Sequence, residues 1–207
     1  YTLSLHDALP IFHDAEYAAA NLGERIVAAL KDAGIPPEKW TPEILGPADQ
    51  IHGGGLQQTQ VHAALVSITS DMHLLDIGCG YGFFLRHVKS VVPTVSGVEI
   101  DLEAAQYARR RFDLPVSHMP IERYDSKAPL DCMVMCDVLE HLHKPDYALR
   151  RCRDMLAPGG IVFLQVPNHV GFRLPRGHSW GLPHHIWQFN PKSLRRLVES
   201  CGLIPED

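Results

Sequence analysis

Three glycines at alternate positions, Gly78, Gly80 and Gly82, and an acid 17 residues beyond the last of them, Glu99, are the residues of this chain best suited to holding a nucleoside. Glycine lets the backbone turn sharply and bring its amides and carbonyls against a ligand. A carboxylate can accept hydrogen bonds from both hydroxyls of a ribose diol. The spacing departs from the dinucleotide fingerprint, because Phe83 stands where Gly-x-Gly-x-x-Gly needs a third small residue to pack beside a pyrophosphate. Two further groups could handle a substrate and its proton. Asp137, Glu140 and His141 fall at i, i+3 and i+4 and would share one face if helical. Arg173, Arg176, His178, Trp180, His184, His185 and Trp187 crowd a loop rich in Gly, Pro and aromatics, where specificity is usually built.

The elements that must position these residues follow from apolar runs and breakers. Met72 to Ile77 has the length of a buried parallel strand, and Phe83 to Val88 continues from the glycines as a helix, so a ligand would sit at the carboxyl end of that strand. Val98-Glu99-Ile100 closes a second strand, Val116-Ser117-His118 makes a third, and Asp131 to Cys136 a fourth. Asp146 to Leu156 has helical spacing, stops at the breaker Ala157-Pro158-Gly159-Gly160, and leads to a fifth strand, Ile161 to Val166. Pro191 to Cys201 reads as a last helix. Upstream, His13 to Ala33 is alanine-rich with helical spacing, Trp40 to Pro47 is a linker, and Ala48 to Gly55 leads into a helix through Ser67. Gln50, His52 and the Gly-Gly turn either form part of a lid over the ligand or simply join two packed helices.

The loop Asp76-Ile-Gly-Cys-Gly-Tyr-Gly82 resembles motif I of class I S-adenosylmethionine (SAM) dependent methyltransferases. "LAPGGIVFLQVPN" resembles that family's turn and fifth strand, and "PHHIWQFNPKSLRRLVESCGL" its ubiquinone-biosynthesis-type small-molecule members; the likeness runs from Leu74 to about Leu203. The resemblance implies an α/β, Rossmann-like doubly wound sheet in the order 3-2-1-4-5. It assigns SAM to Asp76, Gly78, Cys79, Gly80, Gly82, Glu99, Ile100, Met119, Pro120, Ile121, Cys136 and Asp137. The adenine contact is the least marked, since no Asp follows the third strand; Glu122 is either its acidic substitute or a solvated helix cap.

For the acceptor, the resemblance points to a small molecule methylated at oxygen rather than at nitrogen or carbon. His141 and His185 are the candidate bases, a base being needed only where the nucleophile carries a proton. Arg173 and Arg176 could hold a carboxylate or phosphate, Trp180 and Trp187 could wall an aromatic or lipid-like acceptor, and His184 lines the pocket with them. An acid-x-x-Glu-His run accompanies a divalent ion in metal-assisted relatives; no metal is expected here, and His141 is read as structural or substrate-gating in that respect. The competing functions are an NAD-linked oxidoreductase, opposed by Phe83 and the glycine spacing, and a cofactor-binding but inert partner subunit.

Composition fits one globular enzyme domain: 207 residues, 45% hydrophobic, 21% charged. A net charge of −5 opposes sequence-independent nucleic-acid binding, and Arg109-Arg110-Arg111 reads as a solvated helix end. No apolar run nears the roughly 18 residues of a membrane span. Five cysteines without Cys-x-x-Cys spacing point to a reducing, cytoplasmic setting and to small buried hydrophobes. Tyr1 to Ile11 reads codon by codon as a translated short-read sequencing adapter, and is expected to be foreign to the gene. The expected organisation is therefore residues 1–11 adapter-derived, 12–70 a helical cap, and 71–207 the SAM-binding domain, with the family's last two strands absent after Leu203 and an apolar sheet edge left beside strand five.

Overall fold

The computed structural model describes residues 68–168 and 183–206, together with residue 34. The chain divides between Leu65 and Val66, and all of these residues except Gly34 belong to the second unit. The expected adapter segment, most of the N-terminal cap with Gln50 and His52, and Arg173, Arg176, His178 and Trp180 of the acceptor loop lie outside the described residues.

Five strands, β1 (His73–Ile77), β2 (Thr94–Glu99), β3 (Val116–His118), β4 (Leu130–Cys136) and β5 (Leu156–Gln165), form one parallel sheet in the order β3-β2-β1-β4-β5. Helices α1 (Phe83–Val88), α2 (Leu102–Phe112) and α3 (Pro145–Met155) occur among its crossovers, and α4 (Pro191–Ser200) follows later in the chain. Central parallel strands are covered on both faces, which explains why β1 and β4 carry near-continuous apolar sequence. Leu74, Leu75, Cys132, Met133 and Met135 have no exposed surface.

Because every strand points the same way, the carboxyl ends of all five lie on one edge of the sheet. The chain order reverses between β1 and β4, so the loops leaving those two strands diverge and open a crevice there. A Cβ built on Gly78, just after β1, would meet Val138 Cγ2, just after β4, at 2.4 Å. The two loops thus meet where a ligand of this sheet would bind.

Side-chain caps start two of the helices. Asp101 accepts a hydrogen bond from Ala104 N–H at 2.8 Å and caps α2. Asn190 and Ser193 form a reciprocal capping box at the start of α4, with Pro191 in its first turn. Against the expected breaker, Ala157 to Gly160 belong to β5 itself: the pairing runs Leu130 to Leu156 and then skips to Cys132 with Ile161. Extra residues are accommodated as an irregularity beside β4, with Gly159 at φ 80°, instead of a turn that ends before the strand. Among the described residues β5 pairs only with β4, and its side chains from Ile161 to Gln165 are half-buried. No described helix is long and apolar enough to cross a membrane.

Candidate functional site

The cofactor end is built almost entirely by backbone. Gly78, Gly80 and Gly82 all adopt positive φ (74°, 51° and 83°), the left-handed region that glycine enters without penalty. Gly78 and Cys79 N–H donate to Val98 O at 2.8 and 3.2 Å, folding the loop back over the end of β2. Gly82 does what the third residue of a dinucleotide loop would do: a Cβ there would overlap Ala108 Cβ and Leu114 Cδ1, each at 2.8 Å. Phe83 is therefore free to be large. It is buried and joins Tyr107 and Phe112 in an aromatic cluster, with Tyr81 stacked edge-on to Tyr107 at 5.3 Å.

Glu99 fastens this loop to the second strand. Its Oε2 accepts Gly80 N–H and its Oε1 accepts Asp101 N–H, both at 2.8 Å, and the side chain is buried. Each carboxylate oxygen accepts more than one hydrogen bond, so this arrangement fixes the carboxylate without exhausting it. Asp76, on the adjacent strand β1, is buried too. Burial pushes its carboxyl up to about 8, and the neighbouring Glu99 carboxylate adds to the effect. Beside them Ile100 is 71% exposed, an apolar side chain uncovered at the carboxyl end of β2. Across from it, Met119 N–H donates to Glu99 O at 3.0 Å, and Met119 and Pro120 are half-buried while Ile121 is buried. Glu122 sits in the short helical turn Ile121–Arg123, whose preceding residue Pro120 offers no side-chain cap.

The run after β4 departs from the expected shared helical face. Asp137 has a left-handed backbone (φ 48°) and stands before the helical turn, which comprises only Leu139–His141. Its N–H donates to Gln165 O at 3.0 Å, and its Oδ2 accepts from Gln165 Nε2 at 3.2 Å, so it is tied to the end of β5. Glu140 and His141 then diverge: Glu140 is wholly buried, whereas the His141 side chain is 39% exposed. Adjacent residues of one tight turn face different ways, and three residues of turn are too few to present an i, i+4 face.

A segment distant in sequence closes over this turn. Trp187 N–H donates to Glu140 O at 3.1 Å, and Trp187 Nε1 donates to Leu142 O at 2.8 Å. His141 Nδ1 lies 3.0 Å from His184 O. A carbonyl only accepts, so Nδ1 carries the proton and the neutral ring keeps its lone pair on Nε2. The His185 ring packs edge-on against that of His141, with centroids 4.8 Å apart. His184 thus contributes its backbone and Trp187 mainly its donors, although the Trp187 side chain remains partly exposed.

Glu140 Oε1 lies 3.9 Å from His141 Nε2, and neither carboxyl oxygen has a hydrogen-bond partner. Desolvation lifts its carboxyl to about 8, with the nearby amide of its own backbone opposing and Asp137 reinforcing the shift. Ligand-type atoms of Glu140, His141 and His185 lie within 4.8 Å of one another. Cys136, nearby, is no nucleophile: burial raises its thiol, and Asp76, Asp137 and Glu140 raise it further. All five cysteines are free thiols, four of them buried.

Sequence reasoning missed Gln165 and the burial of Glu140. A polar residue closing an otherwise apolar strand, next to a second strand ending in Asp137, was the only signal for the first.

A parallel sheet of order 3-2-1-4-5, a glycine loop at the switch point and an acid at the end of β2 define a nucleoside-binding α/β domain of Rossmann-like class. Residues 50–205 match a family model described as "Methyltransferase domain", and the chain belongs to that family. The ubiquinone biosynthesis O-methyltransferase of Thiobacillus denitrificans is 28% identical over 156 residues, covering 65% of each chain. That of Escherichia coli is 26% identical over 145 residues, covering 63% of this chain and 58% of its own. The chain therefore spans less than two thirds of either relative. Two solved structures share the fold: a SAM-dependent methyltransferase from Archaeoglobus fulgidus (TM-score 0.57, 21% identity, 70% of this chain and 67% of that one), and Haemonchus contortus phosphoethanolamine N-methyltransferase 2 in complex with phosphomonomethylethanolamine and S-adenosylhomocysteine (TM-score 0.66, 19% identity, 74% and 38%).

Proposed function

We propose that this domain transfers a methyl group from SAM to a small-molecule oxygen nucleophile, with His141 as the base. The observation that carries the reading is the tautomer of His141: Nδ1–H donates to His184 O, which puts the lone pair of the neutral, partly exposed ring on Nε2. A base whose far nitrogen is held by a fixed acceptor is the arrangement general-base catalysis requires. When bound, SAM supplies a methyl group on a sulfonium, open to in-line displacement.

The chain's own residues fit that cofactor. Glu99, immobilised by Gly80 and Asp101, retains acceptor capacity for the ribose diol. Gly78, whose Cβ space is already filled by Val138, keeps the loop backbone bare for the amino-acid tail, with Cys79 between the glycines and Asp76 behind them. Exposed Ile100 and half-buried Met119 and Pro120, with Ile121, supply apolar contact for the adenine. Cys136 and Asp137 border the reacting centre at the end of β4. His185 backs the His141 ring; Arg173, Arg176, Trp180, His184 and Trp187 are the proposed acceptor wall, and the five free thiols favour a reducing, cytoplasmic setting.

With SAM held by the glycine loop and Glu99, which would supply the methyl group, His141 Nε2 would take the proton of the acceptor hydroxyl as its oxygen is methylated. The test is calorimetric titration with SAM and, separately, NAD, followed by methyl-labelled SAM with a panel of phenols and catechols. SAM binding and label on oxygen are expected. His141→Ala should lower kcat by about 10²- to 10⁴-fold with SAM affinity unchanged; undiminished turnover in that variant excludes His141 as the base.

A further inference from the structure

Glu140 takes no part in the transfer as just described, yet it is the most anomalous group in the acceptor end. A carboxyl with no exposed surface and no hydrogen-bond partner for either oxygen is costly to bury. Such a group persists where something nearby needs it. Its nearest candidate is the imidazole of His141, 3.9 Å away at the nitrogen that Nδ1 leaves unprotonated. The second imidazole, that of His185, has a ring nitrogen within 4.8 Å of both.

We propose that Glu140 is a positioning residue whose carboxylate stabilises the imidazolium formed on His141 as the acceptor hydroxyl loses its proton. The inference rests on His141 being the base and goes beyond it in assigning a role to the buried acid. The proton balance is simple: neutral His141 gains one proton at Nε2, the ring becomes cationic, and the adjacent carboxylate makes the pair neutral overall. The carboxylate of that pair is wholly buried although the ring is partly exposed, so the pairing is worth more than one between two surface groups. The ring cannot turn to seek another partner, because His184 O holds Nδ1 and the Trp187 bonds to Glu140 O and Leu142 O hold the surrounding backbone.

The charged and titratable groups facing Glu140 are Cys136 and Asp137 from the end of β4, His141 on its own turn, and His185 from the segment before α4. Burial and, among these groups, Asp137 favour a protonated Glu140, whose carboxyl is lifted to about 8. The productive form, with Glu140 ionised and His141 neutral, therefore fills as pH rises toward 8.

The deciding experiment is the pH profile of kcat for the wild-type chain, Glu140→Gln and Glu140→Asp, with His141→Ala alongside. In the wild type kcat should climb into the alkaline range. Glu140→Gln, which keeps size but not charge, should lose about 10- to 100-fold in kcat and move the acid limb down by a unit or more, toward an ordinary histidine. Glu140→Asp should restore the alkaline limb. An unchanged profile in Glu140→Gln, while His141→Ala is inactive, overturns the role of Glu140 alone; a fully active His141→Ala overturns the base assignment beneath it. A divalent ion bound one-to-one by the wild type after dialysis and absent from Glu140→Gln also overturns the proposal, since the acid is then a ligand. Should Glu140→Gln not fold, the His141 ring can be titrated by NMR in the wild type: coupling to Glu140 gives two steps, and a single step at the ordinary histidine value overturns it.

Discussion

The two ends of the site are held together by different means. At the cofactor end, Gly78, Gly80, Gly82 and Glu99 lie within 22 residues and are joined by backbone donors to one carboxylate and two carbonyls. At the acceptor end, Glu140 and His141 are completed from more than 40 residues away, by His184 and Trp187 through bonds of 2.8–3.1 Å and by the His185 ring through edge-on packing. The first is a local device that needs only β1 and β2 in register. The second exists only when the chain after β5 returns over the turn after β4. One end should therefore fail by losing ligand, the other by losing rate.

The sharpest break is at Gly78. Gly78→Val forces a branched side chain onto φ 74° and into Val138, and should abolish measurable SAM binding by calorimetry. Glu99→Ala is the next largest: removing a charge-assisted acceptor should weaken SAM by about 1.5–3 kcal/mol, or roughly 10- to 150-fold. If SAM affinity survives that change, the two ends are not distinguished in this way and the ribose assignment falls.

A pH test separates the ends without ligand. Asp76 and Glu140 both have folded-state values near 8, well above their unfolded values, so the native chain holds protons that the unfolded chain has released. Stability of the free protein should thus be highest at mildly acid pH and fall as pH rises from about 4 toward 8. Asp76→Asn should flatten part of that slope in urea titrations at stepped pH. A slope unaltered by the substitution would show that Asp76 does not retain its proton. The mildest change is Trp187→Phe, which removes one hydrogen bond to Leu142 O and should cost about 1 kcal/mol of stability while raising the acceptor KM more than the SAM Kd.

Several elements were legible before any coordinates. Phe83 to Val88 and Val116 to His118 are bounded as apolar spacing places them, because a glycine turn and a charged or Pro-flanked end leave little choice. Pro191 to Cys201 reads as a helix, and α4 follows it within a residue, with Asn190 and Ser193 as its capping box. Other features were not legible. Ala157 to Gly160 reads as a breaker, yet β4 supplies pairing that absorbs the extra residues. Asp137 reads as helical by its spacing to His141, but the end of β5 claims both its N–H and its carboxylate through Gln165, and the backbone turns left-handed to meet them.

By itself the sequence determined the strands and the glycine loop with its acid, and its likeness to a known family implied the class of domain and the sheet order. The strands and the loop rest on short-range conformational limits, on apolar runs of strand length and on a carboxylate at fixed separation from its glycines. Tertiary structure alone decided that Gly82, and not the next residue, makes the close helix contact, that Glu140 is buried while His141 is exposed, and which nitrogen of His141 carries the proton. Desolvation and hydrogen-bond partners belong to residues brought together across the fold, and neither can be read from the identity of a residue or its neighbours in the chain.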